Sequence, residues 1–151
     1  MTVVPGMARS CMSASAPSPL DVAWPAVPDS VPVARHAVLR YLEEAETPDP
    51  PLKDVGLVVS EGVTNVVNHA YPPGQEGEVR VRVELHAAEL EVIIEDDGRG
   101  MMPRPDSPGL GLGLPLIATV SERFDTRTQP DGGTRLCVWF RTDPAAATLP
   151  G

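Results

Sequence analysis

Glu61 and Asn65 stand four residues apart, and Asn68 follows three later. On a helix such spacing lines the three side chains along one face, about 6 Å per step of four residues. Their neighbours are mostly valine, so the carboxylate and amides are either the wet side of an amphipathic helix or the lining of a cleft. His69, beside them, has no second histidine or cysteine at metal-ligand spacing and reads as structural or superficial. Farther on, Asp97-Gly98-Arg99-Gly100 follows a strand-like run. One reading is an Asp-Gly turn. The other is base recognition: an ionised carboxylate only accepts, so it pairs with the exocyclic amino group of adenine and repels the carbonyl oxygen that guanine presents there. Gly98 and Gly100, lacking Cβ, let the backbone lie against base or ribose.

The third piece, Pro108-Gly109-Leu110-Gly111-Leu112-Gly113-Leu114, spaces its glycines by two and does not match the dinucleotide pattern. It is either a flexible loop or a phosphate cradle, in which free N–H groups at the start of a helix meet an anion without a lysine. In the second case residues 101–108 form a short lid, with Arg104 either on phosphate or in solvent. Taken together, the three pieces name a nucleotide, a metal and a candidate general base.

The elements that must position them follow from periodicity. Leu20, Val22 and Trp24 alternate as a short strand, and Val33, Ala34, Ala37, Val38, Tyr41, Leu42 and Ala45 recur at helical spacing after a Ser30 cap. The Pro48-Asp49-Pro50-Pro51 run breaks the chain before a helix over residues 54–70, whose apolar stripe is Val55, Val59, Gly62, Val63, Val66 and Ala70. Strands follow at Val79, Val81, Val83, Leu85 and at Leu90, Val92, Ile94. A third helix spans residues 112–121, with Pro115 tolerated in its first turn. A hairpin through Phe124, the turn at residues 130–133 and Leu136, Val138 and Phe140 completes the set. These elements predict an α+β fold, a two-layer sandwich with helices on one face of a mixed, mostly antiparallel sheet. One domain over residues 20–142 lies between a disordered Pro/Ser/Ala-rich leader, 1–19, in which Met7 and Met12 stand as alternative starts, and a loose tail, 143–151.

The net charge is −9 and no Lys/Arg cluster occurs, which argues against direct nucleic-acid binding. Lys53 is the only lysine, which excludes a Walker-type loop. Cys11 and Cys137 lack metal-ligand spacing and point to a reducing setting. The leader has no apolar run long enough for a signal segment or membrane span, so a cytoplasmic protein without membrane attachment is expected.

In the order Glu61-x-x-x-Asn65, Asp97 to Gly100, Gly109-Leu110-Gly111 and Gly133-Thr134, the chain resembles the Bergerat-fold ATPases, the superfamily of type II topoisomerases and sensor kinases. Residues 61–71, 97–101 and 109–114 look most like those of the bacterial anti-sigma factor serine/threonine-protein kinases. Val33-Ala34-Arg35 is similar to the segment whose arginine contacts partners in that family. The resemblance implies that Asn65 ligates Mg2+, Glu61 is the general base, Asp97 binds adenine, and Thr134 supports that contact. It also implies that Gly109, Gly111 and Gly113 hold the ATP phosphates and that Arg35 meets partners. The implied partners are a sigma factor and a small anti-anti-sigma protein phosphorylated on serine, bound by a homodimer. Ile93 and Trp139 suggest a half-apolar outer sheet face for that dimer.

Two functional classes therefore compete: an ATP-dependent serine kinase acting as anti-sigma factor, and an ATP-gated binding module without phosphotransfer. Glu61 favours the first, because a binder needs no base. A sensor kinase would need a helical segment bearing a phosphoacceptor histidine, and a strand-passage enzyme would need a second domain.

Overall fold

Alternation in the sequence becomes a sheet with one greasy face. The computed structural model describes residues 17–47, 50–99 and 113–142. Its strands are β1 (Leu20–Pro25), β2 (Glu78–Leu85), β3 (Glu89–Asp96), β4 (Arg123–Thr128) and β5 (Thr134–Arg141), and its helices are α1 (Ser30–Glu44), α2 (Leu52–His69) and α3 (Gly113–Val120). The strand order is β1-β2-β3-β5-β4. Every pairing among the described strands is antiparallel, so the open sheet has no parallel pair there to make it mixed.

Val79, Val81 and Val83, Leu90, Val92 and Ile94, and Leu136, Val138 and Phe140 are buried in phase on one face. Onto that face α1 presents Ala34, Val38 and Leu42, and α2 presents Val55, Val58, Val59, Val63 and Val66. The α1 stripe recurs every four residues from Ser30, which is buried inside the helix. Ser30 is thus not the cap: Asp29 occupies that position, without a side-chain capping bond. Val33, read as part of the apolar stripe, is exposed. Pro51 caps α2, where its missing N–H costs nothing. Among the described residues no helix is long and apolar enough to cross a membrane.

The opposite face of the sheet is a lattice of charge pairs, Arg80 with Asp21, Arg82 with Glu84, Arg135 with Glu95 and Arg123 with Glu89. Ile93 and Cys137 are register partners at its centre and are only 4% and 8% exposed. Trp139 carries the Arg123 guanidinium 4.4 Å above its ring, a cation–π contact. Of the half-apolar outer face expected from Ile93 and Trp139, Ile93 is buried and Trp139 lies under the Arg123 guanidinium. Residues 1–16 and 143–151, with the expected leader and tail, and the proline run at 48–49 lie outside the described residues.

Candidate functional site

Between α2 and the ends of β3 and β5 lies a narrow cleft with about 20 Å³ of space open to water. Its helical wall is Gly62, Asn65, Val66, His69 and Ala70; its floor is Ile94, Asp96, Thr134 and Leu136; Leu114 of α3 closes one side. The helical positions follow i, i+3, i+4, i+7 and i+8, one face of a helix. Small residues at Gly62 and Ala70 keep the helix close to the sheet, and Asn65 and His69 put polar atoms into an otherwise apolar wall.

One carboxylate sits at the bottom, and it is Asp96. Its Oδ1 accepts the Gly98 N–H at 2.9 Å and the Thr134 N–H at 3.4 Å, and the residue is 7% exposed. Burial pushes its carboxyl above the ordinary range. The two N–H donors pull the other way, and the neighbouring Asp97 and Asp131 charges add to the rise.

Asp97, the residue assigned to adenine from sequence, does not line the cleft. Its exposed side chain brings Oδ1 within 2.5 Å of the Tyr71 hydroxyl, whose single proton has the Glu78 carbonyl at 2.6 Å as a second acceptor and whose oxygen receives the Glu78 N–H at 3.2 Å. Burial and the bond to Asp97 push the Tyr71 hydroxyl up to about 12, so it stays a donor. The candidate carboxylate thus moves by one residue. The physical reason is the pleat: Leu90, Val92 and Ile94 point at the helices, and two further residues in the same phase bring Asp96 there, while Asp97 leaves the strand. Two signals were available in sequence, that phase and the distance of Asp96 two residues before Gly98.

The loop after β3 is clamped to the end of α2. Arg99 donates its backbone N–H to the Ala70 carbonyl at 2.8 Å and its Nε–H to the His69 carbonyl at 3.0 Å. A Cβ on Gly98 would overlap the Ala70 carbonyl, and one on Gly133 would overlap the Asp96 carbonyl. Gly133→Ala must therefore push β5 away from the carboxylate, and backbone cannot yield as a side-chain tip can. We expect a loss of about 3 kcal/mol, a melting temperature lower by roughly 6–12 °C. Calorimetry of the variant checks it, and an unchanged melting temperature would contradict the close approach.

Of the other residues singled out in the sequence, Asn65 and Thr134 line the cleft, and Gly98 braces its carboxylate. Glu61 lies one turn before Asn65 on α2, partly exposed and outside the lining. Asn68 is exposed. His69, read as structural or superficial, is part of the wall. Arg35 is elsewhere, in an open groove of α1 with Pro32, Val33, His36, Leu39 and Arg40. Gly113 begins α3. Gly100, Gly109 and Gly111, together with the expected lid and Arg104, lie outside the described residues.

This architecture has known counterparts. The pattern described as histidine kinase-like ATPase domain matches residues 24–141, most of the chain. The chain belongs to that family. Within the histidine kinase-like ATPase domains its relatives are anti-sigma F factors. That of Clostridium novyi (strain NT) is 30% identical over 116 residues, 70% of this chain and 81% of its own. That of Pasteuria penetrans is 31% identical over 113 residues, 67% and 75% of the two chains. The SiaB–SiaC complex from Pseudomonas aeruginosa contains a chain of similar fold, with a TM-score of 0.54 at 18% identity, covering 81% of this chain and 89% of that one. Membership of an ATPase-domain family implies ATP binding.

Proposed function

We propose that the protein is a cytoplasmic anti-sigma factor that binds MgATP and phosphorylates a serine of a small anti-anti-sigma protein. The observation that carries the proposal is Asp96, held at the cleft floor by Gly98 and Thr134 opposite Asn65, in a chain whose relatives are anti-sigma F factors. In this reading Asp96, rather than Asp97, accepts the adenine amino group, and Thr134 braces it. Gly98, Gly100, Gly109, Gly111 and Gly113 keep the backbone close to ribose and phosphates.

Asn65 fits Mg2+ because it lines the cleft and its amide oxygen is a hard donor, and such an ion takes its remaining oxygens from water and phosphates. The bound ion would neutralise charge on the phosphates. Glu61, one turn away, accepts the proton of the substrate serine. The serine oxygen forms its bond to the γ-phosphorus as the bond from that phosphorus to the β,γ-bridging oxygen breaks, and ADP departs. A serine hydroxyl is a poor nucleophile, so the carboxylate has a task that a purely binding protein would not require.

The partner surface is proposed on α1. Arg35 lies away from the cleft beside the exposed Val33, and a guanidinium fork beside an apolar patch suits a carboxylate across an interface. Arg35→Ala is expected to weaken capture of the sigma factor at least tenfold while MgATP affinity stays within twofold; the reverse pattern would put the residue in the nucleotide site. A homodimer is part of the proposal, tested by light scattering. The reading as a whole is tested by capture with and without MgATP, followed by identification of bound and phosphorylated proteins. A sigma factor and a phosphoserine on a small partner are expected. Capture of neither would reject it.

A further inference from the structure

On the face of the sheet turned away from the helices, Glu84 of β2 and Glu91 of β3 are direct register partners. Like charges directly opposite one another destabilise an antiparallel pair unless cations offset them. Arg82 takes Oε1 of Glu84 at 2.5 Å, which leaves Oε2 turned toward His86. The His86 Nε2 lies 3.8 Å from that oxygen and 3.4 Å from Oε2 of Glu91. Among the described residues this is the group of His, Cys, Asp or Glu whose ligand atoms converge, all within 4.8 Å of one another.

We propose that Glu84, His86 and Glu91 bind a divalent cation of the zinc class. Ligand bonds of about 2.0–2.2 Å in a tetrahedron set neighbouring ligands about 3.3–3.6 Å apart. The Nε2 to Glu91 distance already meets that spacing, and the Glu84 distance exceeds it by a few tenths of an ångström, which a carboxylate rotation closes. The backbone is fixed on both sides. His86 donates its N–H to the Glu89 carbonyl at 2.8 Å, closing the hairpin turn, and Arg82 holds the first glutamate by its other oxygen as metal-ligating carboxylates are commonly held. One imidazole with two carboxylates is a donor set for Zn2+, Co2+, Ni2+ or Mn2+, whereas Mg2+ takes oxygen alone. Three protein ligands leave the fourth position to water or to a donor from another protein. The imidazole side chain is 50% exposed, so the site is open to solvent.

The test is calorimetric titration of the full chain with Zn2+ in the presence of saturating MgADP, repeated with Co2+ to record its visible spectrum. One saturable equivalent is expected, with a Co2+ spectrum free of thiolate bands, which excludes Cys11 and Cys137. The melting temperature should rise with Zn2+ concentration, as for any ligand of the folded state. His86→Ala is expected to abolish this binding, and Glu91→Gln to weaken it at least tenfold, both with MgADP binding retained as the sign of an intact fold. His36→Ala leaves it unchanged. The absence of saturable binding to the wild type, or binding that survives His86→Ala, overturns the proposal.

Discussion

Asp96→Ala is expected to weaken ADP binding by on the order of 10- to 150-fold, while Asp97→Ala leaves it within about threefold. The first figure is the loss of a charge-assisted hydrogen bond of roughly 1.5–3 kcal/mol, converted to affinity. The asymmetry arises from placement, because Asp96 is buried at the cleft floor and Asp97 is engaged with Tyr71 at the surface. What Asp97→Ala should lose is stability, about 1 kcal/mol from the bond that ties β3 to the end of α2. Isothermal titration with ADP and GDP on both variants decides the matter, with far-UV circular dichroism as the check of folding. Asp96 also predicts a pH signature. Its anion accepts from the adenine amino group more strongly than its neutral acid does, and burial raises its pKa. ADP affinity should therefore fall as the pH drops through that raised pKa and be flat over the same range in Asp96→Asn. If Asp97→Ala abolishes binding and Asp96→Ala spares it, the assignment belongs to Asp97 after all.

Glu61→Gln should slow phosphotransfer to the captured partner by roughly a hundredfold or more and leave MgATP affinity near that of the wild type. The substitution keeps size and hydrogen bonding and removes only the base. Glu61 itself lies outside the cleft lining, one helical turn before Asn65. Asn65 lines the cleft, so Asn65→Ala should instead weaken Mg2+-dependent nucleotide binding. Single-turnover transfer, with nucleotide affinity measured on the same preparations, separates the two. Equal transfer by Glu61→Gln and wild type, or no transfer by the wild type to any captured protein, would favour an ATP-gated binder. The partner complex, including Arg35, would then be the functional state and ATP its switch.

Element type and order were legible in the chain because each rests on short-range periodicity. Valines two apart in residues 79–83 can bury one face only as a strand, and the stripe from Val55 to Val66 can do so only as a helix. The i, i+4 spacing likewise puts Glu61 and Asn65 on one helical face by sequence alone. The pairing order β1-β2-β3-β5-β4 and the absence of a parallel pair among the described strands were decided by tertiary contacts. So were the membership of His69 in the cleft wall and the burial of Ile93. Adjacent aspartates are chemically identical in the sequence, and a one-residue shift in a strand reverses the face that a side chain occupies. The phase of β3 and the spacing to Gly98 already distinguished Asp96 from Asp97, but their surroundings were decided only when β3 packed beneath α2: one carboxylate was then enclosed with two N–H donors, and the other was left to the Tyr71 hydroxyl.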